Sequence, residues 1–173
     1  MNERKPIQYN IDDTNFIYTT NFAGLPERDR YGDSRRKVNV LIPDLEQVRE
    51  LKAAGFKVRS TKPRPTDDPE TYQPKYFVQA ILRYRKTNGE PVKWPPKVYL
   101  VTGGNDPVLL TEENVACLDN IRVKNVNVVL NPHEYDPVTH EENLYISTMY
   151  VEQRLDDDPY AARYRRQMTE EDE

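Results

Sequence analysis

Cysteine is almost missing from this 173-residue chain, and the lone Cys117 excludes an internal disulfide framework or a site built from several thiolates. Histidine is nearly as scarce, at two residues, which leaves little room for imidazole-based metal or acid–base chemistry. No apolar run approaches a membrane-spanning length. Residues 1–15 (MNERKPIQYNIDDTN) lack the apolar stretch of a signal peptide. The expectation is a soluble, cytoplasmic protein. Glycine is sparse too, and Gly103-Gly104-Asn105-Asp106 lacks the Lys-Ser/Thr of a phosphate-binding loop, so it reads as a turn. The chain does carry 12 Tyr, 4 Phe and 1 Trp, too many rings for a wholly disordered polymer even with 31% charged residues. Its length fits one domain with a tail.

Charge is segregated along the sequence. The formal net charge is −4, yet residues 28–104 carry 17 basic and 9 acidic side chains, a local excess of +8. Residues 1–27, 105–150 and 151–173 are net negative, at −2, −6 and −4. Distribution matters more than total for a polyanion ligand, so the overall acidity excludes nothing.

Period-two alternation marks seven strands: Asn15–Phe22, Lys37–Ile42, Phe56–Ser60, Lys75–Lys86, Lys97–Thr102, Asn125–Leu130 and Leu144–Val151. In the first, Phe16, Tyr18 and Phe22 are expected on one face. Two short helices are expected as well. Asp44 reads as an N-cap with Gln47 as its capping-box partner, followed by Leu45, Val48 and Leu51, with Gly55 at the C-terminal end. Thr111 reads as the cap of Glu112–Asp119, where Val115 and Leu118 form an apolar stripe. Pro63–Pro74, Thr87–Pro96 and Gly103-Gly104 mark loops. These elements predict a mainly β fold, a small barrel or sandwich. The expected organisation is an N-terminal arm (1–14), a binding domain (15–155) and an acidic, disordered tail (156–173) ending Glu170-Glu171-Asp172-Glu173.

Parity then separates core from exterior. Tyr76, Val78, Ala80, Leu82 and Tyr84 fall on the inner face of the fourth strand. The outward positions of the second to fifth strands carry Lys37, Lys57, Arg59, Lys75, Arg83, Arg85 and Lys97, and no acid. Phe77 and Tyr99 lie among them. Such a face suits single-stranded nucleic acid, because cations meet phosphates while rings stack on unpaired bases. Lys37, Lys57, Arg59, Arg83, Arg85 and Lys97 are the candidate phosphate contacts. Phe77, Tyr99, Trp94 and Tyr31 are the candidate stacking platforms, and Arg35, Arg36, Lys62, Arg64 and Lys93 extend the basic surface.

Other motifs resemble chemistry without its geometry. Pro43-Asp44 with Glu50-Leu51-Lys52 matches the letters of a PD…ExK nuclease, but these acids cap and line a short helix rather than gather on strand ends. His133, Glu134, Asp136, His140, Glu141 and Glu142 crowd one segment, which reads as a solvated turn rather than a metal site. Cys117 reads as a small buried apolar residue. No cofactor is expected.

The order of segments resembles phage-encoded single-stranded-DNA-binding proteins of the OB-fold type. The resemblance is carried by Thr20-Asn21-Phe22-Ala23-Gly24, by Gly32 and Arg36-Lys37-Val38-Asn39-Val40, and by Ala54-Gly55-Phe56-Lys57-Val58. Pro95-Pro96-Lys97-Val98, Thr111–Pro132, Leu144-Tyr145-Ile146 and Met149-Tyr150-Val151 continue it, so that it spans residues 16–152. The chain departs from the pattern in its long Pro63–Pro74 insertion, in Thr20 where a basic residue is expected before Asn21, and in ending without a terminal aromatic. The resemblance implies an OB-like barrel that coats single-stranded DNA in phage replication or recombination without catalysis. It also implies an acidic tail that recruits replication or recombination proteins. The rival expectation is a protein-interaction module whose basic face docks an acidic partner.

Overall fold

A computed structural model describes residues 8–29, 32, 34–86, 88–132 and 144–154. Tyr31, the His133–His140 segment and residues 156–173 lie outside the described residues. Within them the chain forms β1 (Tyr9–Thr14), β2 (Phe16–Asn21), β3 (Lys37–Leu41), α1 (Leu45–Ala53), β4 (Arg59–Ser60), β5 (Tyr76–Ile81), β6 (Lys97–Thr102), β7 (Val108–Leu110), β8 (Val123–Pro132) and β9 (Leu144–Gln153). The fold is mainly β. Among the described residues no helix is long and apolar enough to cross a membrane.

All nine strands join one sheet, along the path β1-β8-β9-β5-β3-β2, with β4 on β5, β6 on β9 and β7 on β6. The two ends of that path, β1 and β2, are separated by Asn15 alone, so the sheet starts and finishes on one bent length of chain. Backbone and side-chain hydrogen bonds hold the bend. Asn15 donates from Nδ2 to the Val123 carbonyl (3.1 Å) beside β8, and its own carbonyl accepts from Leu41 N–H of β3 (3.0 Å). The Thr14 hydroxyl donates to the Leu41 carbonyl at 2.5 Å. Asp13, with φ of +50°, donates its N–H to Asn127 Oδ1. This bend leaves one interior, filled by Ile11, Phe22, Val38, Val40, Val78, Ala80, Val98, Val126, Val128, Leu130, Met149 and Val151.

Local chemistry explains the helical pieces. Asp44 accepts from Glu46 N–H and caps α1 as expected, which uses the carboxylate that a nuclease reading required. Gln47 does not complete a capping box; its amide reaches the Asn10 carbonyl and ties α1 to β1. Gly55, at φ of +94°, ends the helix. Its N–H meets the Lys52 carbonyl and the Phe56 N–H meets that of Leu51, the paired bonds of a Schellman motif. Val48 and Leu51 bury the apolar side of α1. The expected helix at Glu112–Asp119 is instead a 3₁₀ turn at Val115–Asn120. Its two buried residues, Val115 and Leu118, are three apart, which suits the 3₁₀ period. That geometry leaves Cys117 exposed rather than buried.

Strand assignments change in four places. Tyr9–Thr14 is a sheet strand, not part of an arm, because Tyr9, Ile11 and Thr14 point inward and a register shift between Ile11 and Thr14 absorbs the two aspartates. The segment read as Phe56–Ser60 shrinks to β4. The Lys75–Lys86 strand leaves the sheet after Ile81, and β7 is new. A second register shift, between Ile17 and Asn21, separates Tyr18 from Phe16 and Phe22. Those two pack edge to face at 5.4 Å, whereas Tyr18, at φ of +63°, is 62% exposed and sets its ring edge-on to Phe77 at 5.3 Å. Phe77 is therefore only 6% exposed, buried outside the main core.

One buried carboxylate fixes the chain after β2. Asp119, its side chain 3% exposed, accepts from Thr20 Oγ1 (2.7 Å), Phe22 N–H (2.8 Å) and Ala23 N–H (2.9 Å), and faces Arg28 at 3.7 Å. Asn21 completes the turn with bonds in both directions to the Leu25 backbone. Gly24 is required there: φ is +68°, and a Cβ would lie 2.8 Å from the Ser34 carbonyl oxygen.

Asp119→Ala strands the two backbone donors and is expected to cost about 2–3 kcal/mol, read as a fall in Tm of roughly 5–10 °C. A shift below 2 °C in calorimetry would contradict this role. Phe77→Ala is expected to destabilise by about 3 kcal/mol in urea unfolding, the cost of emptying a buried aromatic site.

Candidate nucleic-acid interface

Strand β9 is the spine of the site. One of its edges pairs with β8 along its whole length, so both its parallel partners lie on the other edge. There Ile81 of β5 sits beside Tyr145, and Lys97 of β6 sits beside Thr148. The chain between, residues 82–96, leaves the sheet and returns to the same edge. A register shift between Val129 and Leu130 of β8 changes the parity of β9 midway. Leu144 and Ile146 point inward before it, Met149 and Val151 after it. Tyr145 and Tyr150 consequently share the outer face.

Tyr150 pairs in register with Tyr99 of β6, and their rings stack at 4.6 Å with 12° between planes. Tyr150 is 39% exposed, and Leu109 of β7, the next residue across, is exposed as well. Trp94, just before β6, is 83% exposed with the Lys93 ammonium 5.7 Å from its ring centroid. Tyr145, five residues along β9 from Tyr150 and roughly 15 Å away by strand rise, opens onto a second region of this face.

That surface is a cleft of about 590 Å³ whose walls include Arg35, Arg36, Arg83, Arg85 and Lys86, with Tyr84, Tyr145 and one acid, Glu112. Arg36 is placed by the Asp119-pinned turn, since its Nη1 donates to the Phe22 carbonyl at 2.6 Å. Its guanidinium lies over the Tyr84 ring, 5.6 Å from the centroid. Burial pushes the Tyr84 hydroxyl up to about 12 against the opposing pull of Arg36, so the phenol stays neutral and adds no negative charge. Its oxygen is buried with no hydrogen-bond partner among the described residues. Arg83 donates from Nε to the Arg85 carbonyl at 3.0 Å. Arg85 donates from Nε to both Glu112 oxygens (2.7 and 3.1 Å) and from Nη1 to the Gly89 carbonyl.

The expected single trough divides in two. Arg83 and Arg85 meet in the cleft with Arg35 and Arg36, while Tyr99 is half of the stacked tyrosine pair, with Lys97 two residues before it on β6 and Trp94 just before that strand. Lys57, Arg59 and Lys75 are exposed at the other end of β5, where Arg59 pairs beside Phe77. Lys37 is outward in parity, but its ammonium is 2.6 Å from Asp29 and its side chain 17% exposed, so an ion pair already occupies it. Phe77 is no stacking platform, because Tyr18 covers it. Tyr31 lies outside the described residues. Tyr145 and Tyr150 were not anticipated: unbroken alternation from Leu144 assigns Tyr150 inward, and only the irregular spacing of Ile146 and Met149 marks the bulge. No group of three potential metal ligands gathers among the described residues.

No curated protein matches the sequence. Among solved structures, gp2.5, a single-stranded DNA binding protein encoded by bacteriophage T7, is similar at 11% identity and a TM-score of 0.36, over 86% of this chain and 87% of that one. A family model described as "Putative phage ssDNA-binding domain" matches residues 1–172, almost the entire sequence. The chain belongs to the family of phage ssDNA-binding domains.

Proposed function

We propose that this domain binds single-stranded DNA, without catalysis and with little sequence preference, along the face that joins the arginine cleft to the Tyr99–Tyr150 pair. The observation that carries the reading is the placement of Tyr145, which lines the cationic cleft and shares the outer face of β9 with Tyr150. Phosphates sit against Arg35, Arg36, Arg83 and Arg85, while bases stack on Tyr150, Tyr99 and Trp94. Single strands are favoured because a duplex hides its base faces from such rings. Lys57 and Arg59, with Lys75, offer further phosphate contacts to a strand continuing across β5. The role fits phage replication or recombination, where exposed single strands need coating, and the acidic residues 156–173 serve as the docking segment for a replication or recombination protein.

Fluorescence anisotropy with labelled oligonucleotides is the test. Binding is expected to be tighter to a single strand than to its duplex and to weaken steeply with salt; equal affinity for both, or indifference to salt, overturns the reading. Tyr150→Ala is expected to lose about 1–3 kcal/mol of binding with an unchanged salt slope. Arg83→Ala is expected to flatten that slope by about 0.7, one phosphate contact on a single strand. Exchanged signatures would show that the two residues have been given each other's roles.

A further inference from the structure

The cleft carries one acid among five cations, and its position has a consequence for binding. Glu112 follows β7, and its carboxylate sits at 2.7 and 3.1 Å from Arg85 Nε, where a phosphate oxygen would accept the same proton. Its side chain is 28% exposed, against 51% for that of Arg85, so it is seated in the cleft wall rather than waving above it. The hydrogen bond to Glu112 also raises the basicity of Arg85 beyond its ordinary value, so the guanidinium keeps its charge. Among the described residues Glu112 is the one acid lining the cleft, and Arg85 Nη1 donates to the Gly89 carbonyl.

We propose that Glu112 is a built-in competitor for the phosphate site of Arg85, and that single-stranded DNA displaces it on binding. This inference rests on the reading of the cleft as a phosphate site. A single small anion offers Arg85 little that Glu112 does not already supply, because the carboxylate is tethered and needs no capture from solution. A strand that also engages Arg36, Arg83 and the tyrosine rings gains those contacts together and repays the lost pair. Glu112 thereby selects a polymer over free phosphate or mononucleotides. The cost of displacement is small, because a partly exposed ion pair of this kind is weak. The neighbouring Glu113 provides the control: it is fully exposed, lies close enough to Arg85 and Arg36 to feel their charge, and makes no hydrogen bond to Arg85 among those described.

Salt-dependent anisotropy of an oligodeoxythymidylate on wild type, Glu112→Gln, Glu113→Gln, Arg85→Gln and the Glu112→Gln/Arg85→Gln double variant tests this. Glu112→Gln is expected to tighten binding by about threefold and to steepen the salt slope by about 0.7, as Arg85 regains a counterion to release. The gain is expected to vanish in the Arg85→Gln background and to be smaller in Glu113→Gln. Free mononucleotide, used as competitor, is expected to inhibit Glu112→Gln at lower concentration than wild type. Equal gains from Glu112→Gln and Glu113→Gln, or a gain that survives loss of Arg85, would reduce the effect to bulk charge and overturn the proposal. Wild-type binding with no change in Glu112→Gln overturns it while leaving the DNA-binding reading intact; failure of wild type to bind removes both. Should Glu112→Gln unfold, the ¹⁵N shift of Arg85 Nε in wild type gives the same answer: it moves on DNA addition if the pair opens and stays fixed if it does not.

Discussion

The Asp119 carboxylate organises more of this molecule than any other single group. It is buried, yet three donors from the Thr20–Ala23 segment satisfy it, so the cost of desolvating an acid is offset by charge-assisted hydrogen bonds. The turn it holds fixes the Phe22 carbonyl, the carbonyl holds Arg36, and Arg36 lies over Tyr84 in the cleft wall. A carboxylate from the 3₁₀ turn thus positions a guanidinium on the far side of β2 and β3. This also gives a physical reason for the two most informative sequence stretches, Thr20–Gly24 and Thr111–Pro132, to occur together: they meet in space at Asp119.

The second constraint is the bend that joins the two ends of the sheet. Asp13, Thr14 and Asn15 bend one length of chain so that β1 reaches β8 while β2 reaches β3. With the ends joined in this way, β9 gains partners on both edges, and β5 and β6 are forced to share one of them. That sharing expels residues 82–96 from the sheet and carries Arg83, Arg85 and Trp94 outward on the loop. Binding residues on an excursion from a rigid scaffold are a common arrangement, and here the excursion follows from strand pairing.

Much of this was legible in the sequence, and the failures have two causes. Inner-face residues such as Val38, Val40, Val78, Ala80 and Val98 follow from parity because those strands are regular. The cap at Asp44 and the stop at Gly55 follow from local chemistry. Tyr18 lies within a register shift and Tyr150 beyond one, where one extra residue turns every later side chain to the other face, whereas Phe77 does lie off the main core face but is covered by Tyr18 from another strand. Lys37 and Arg85 were read correctly as outward, but their acids, Asp29 and Glu112, come from other parts of the chain, and a strand-by-strand count cannot see them. The acid-free face of the sequence is therefore a face with two internal ion pairs in the fold.

The account's central claim is that a single strand lies on the outer face of β9 between the arginine cleft and the stacked tyrosines. Ultraviolet crosslinking of the full chain to an oligodeoxythymidylate, with the modified residues identified by mass spectrometry, tests it most directly. Crosslinks at Tyr150, Tyr99 or Trp94 are the predicted result. Crosslinks confined to Tyr18 or Tyr76, with those three rings unmodified, would place the strand on another surface and contradict the account.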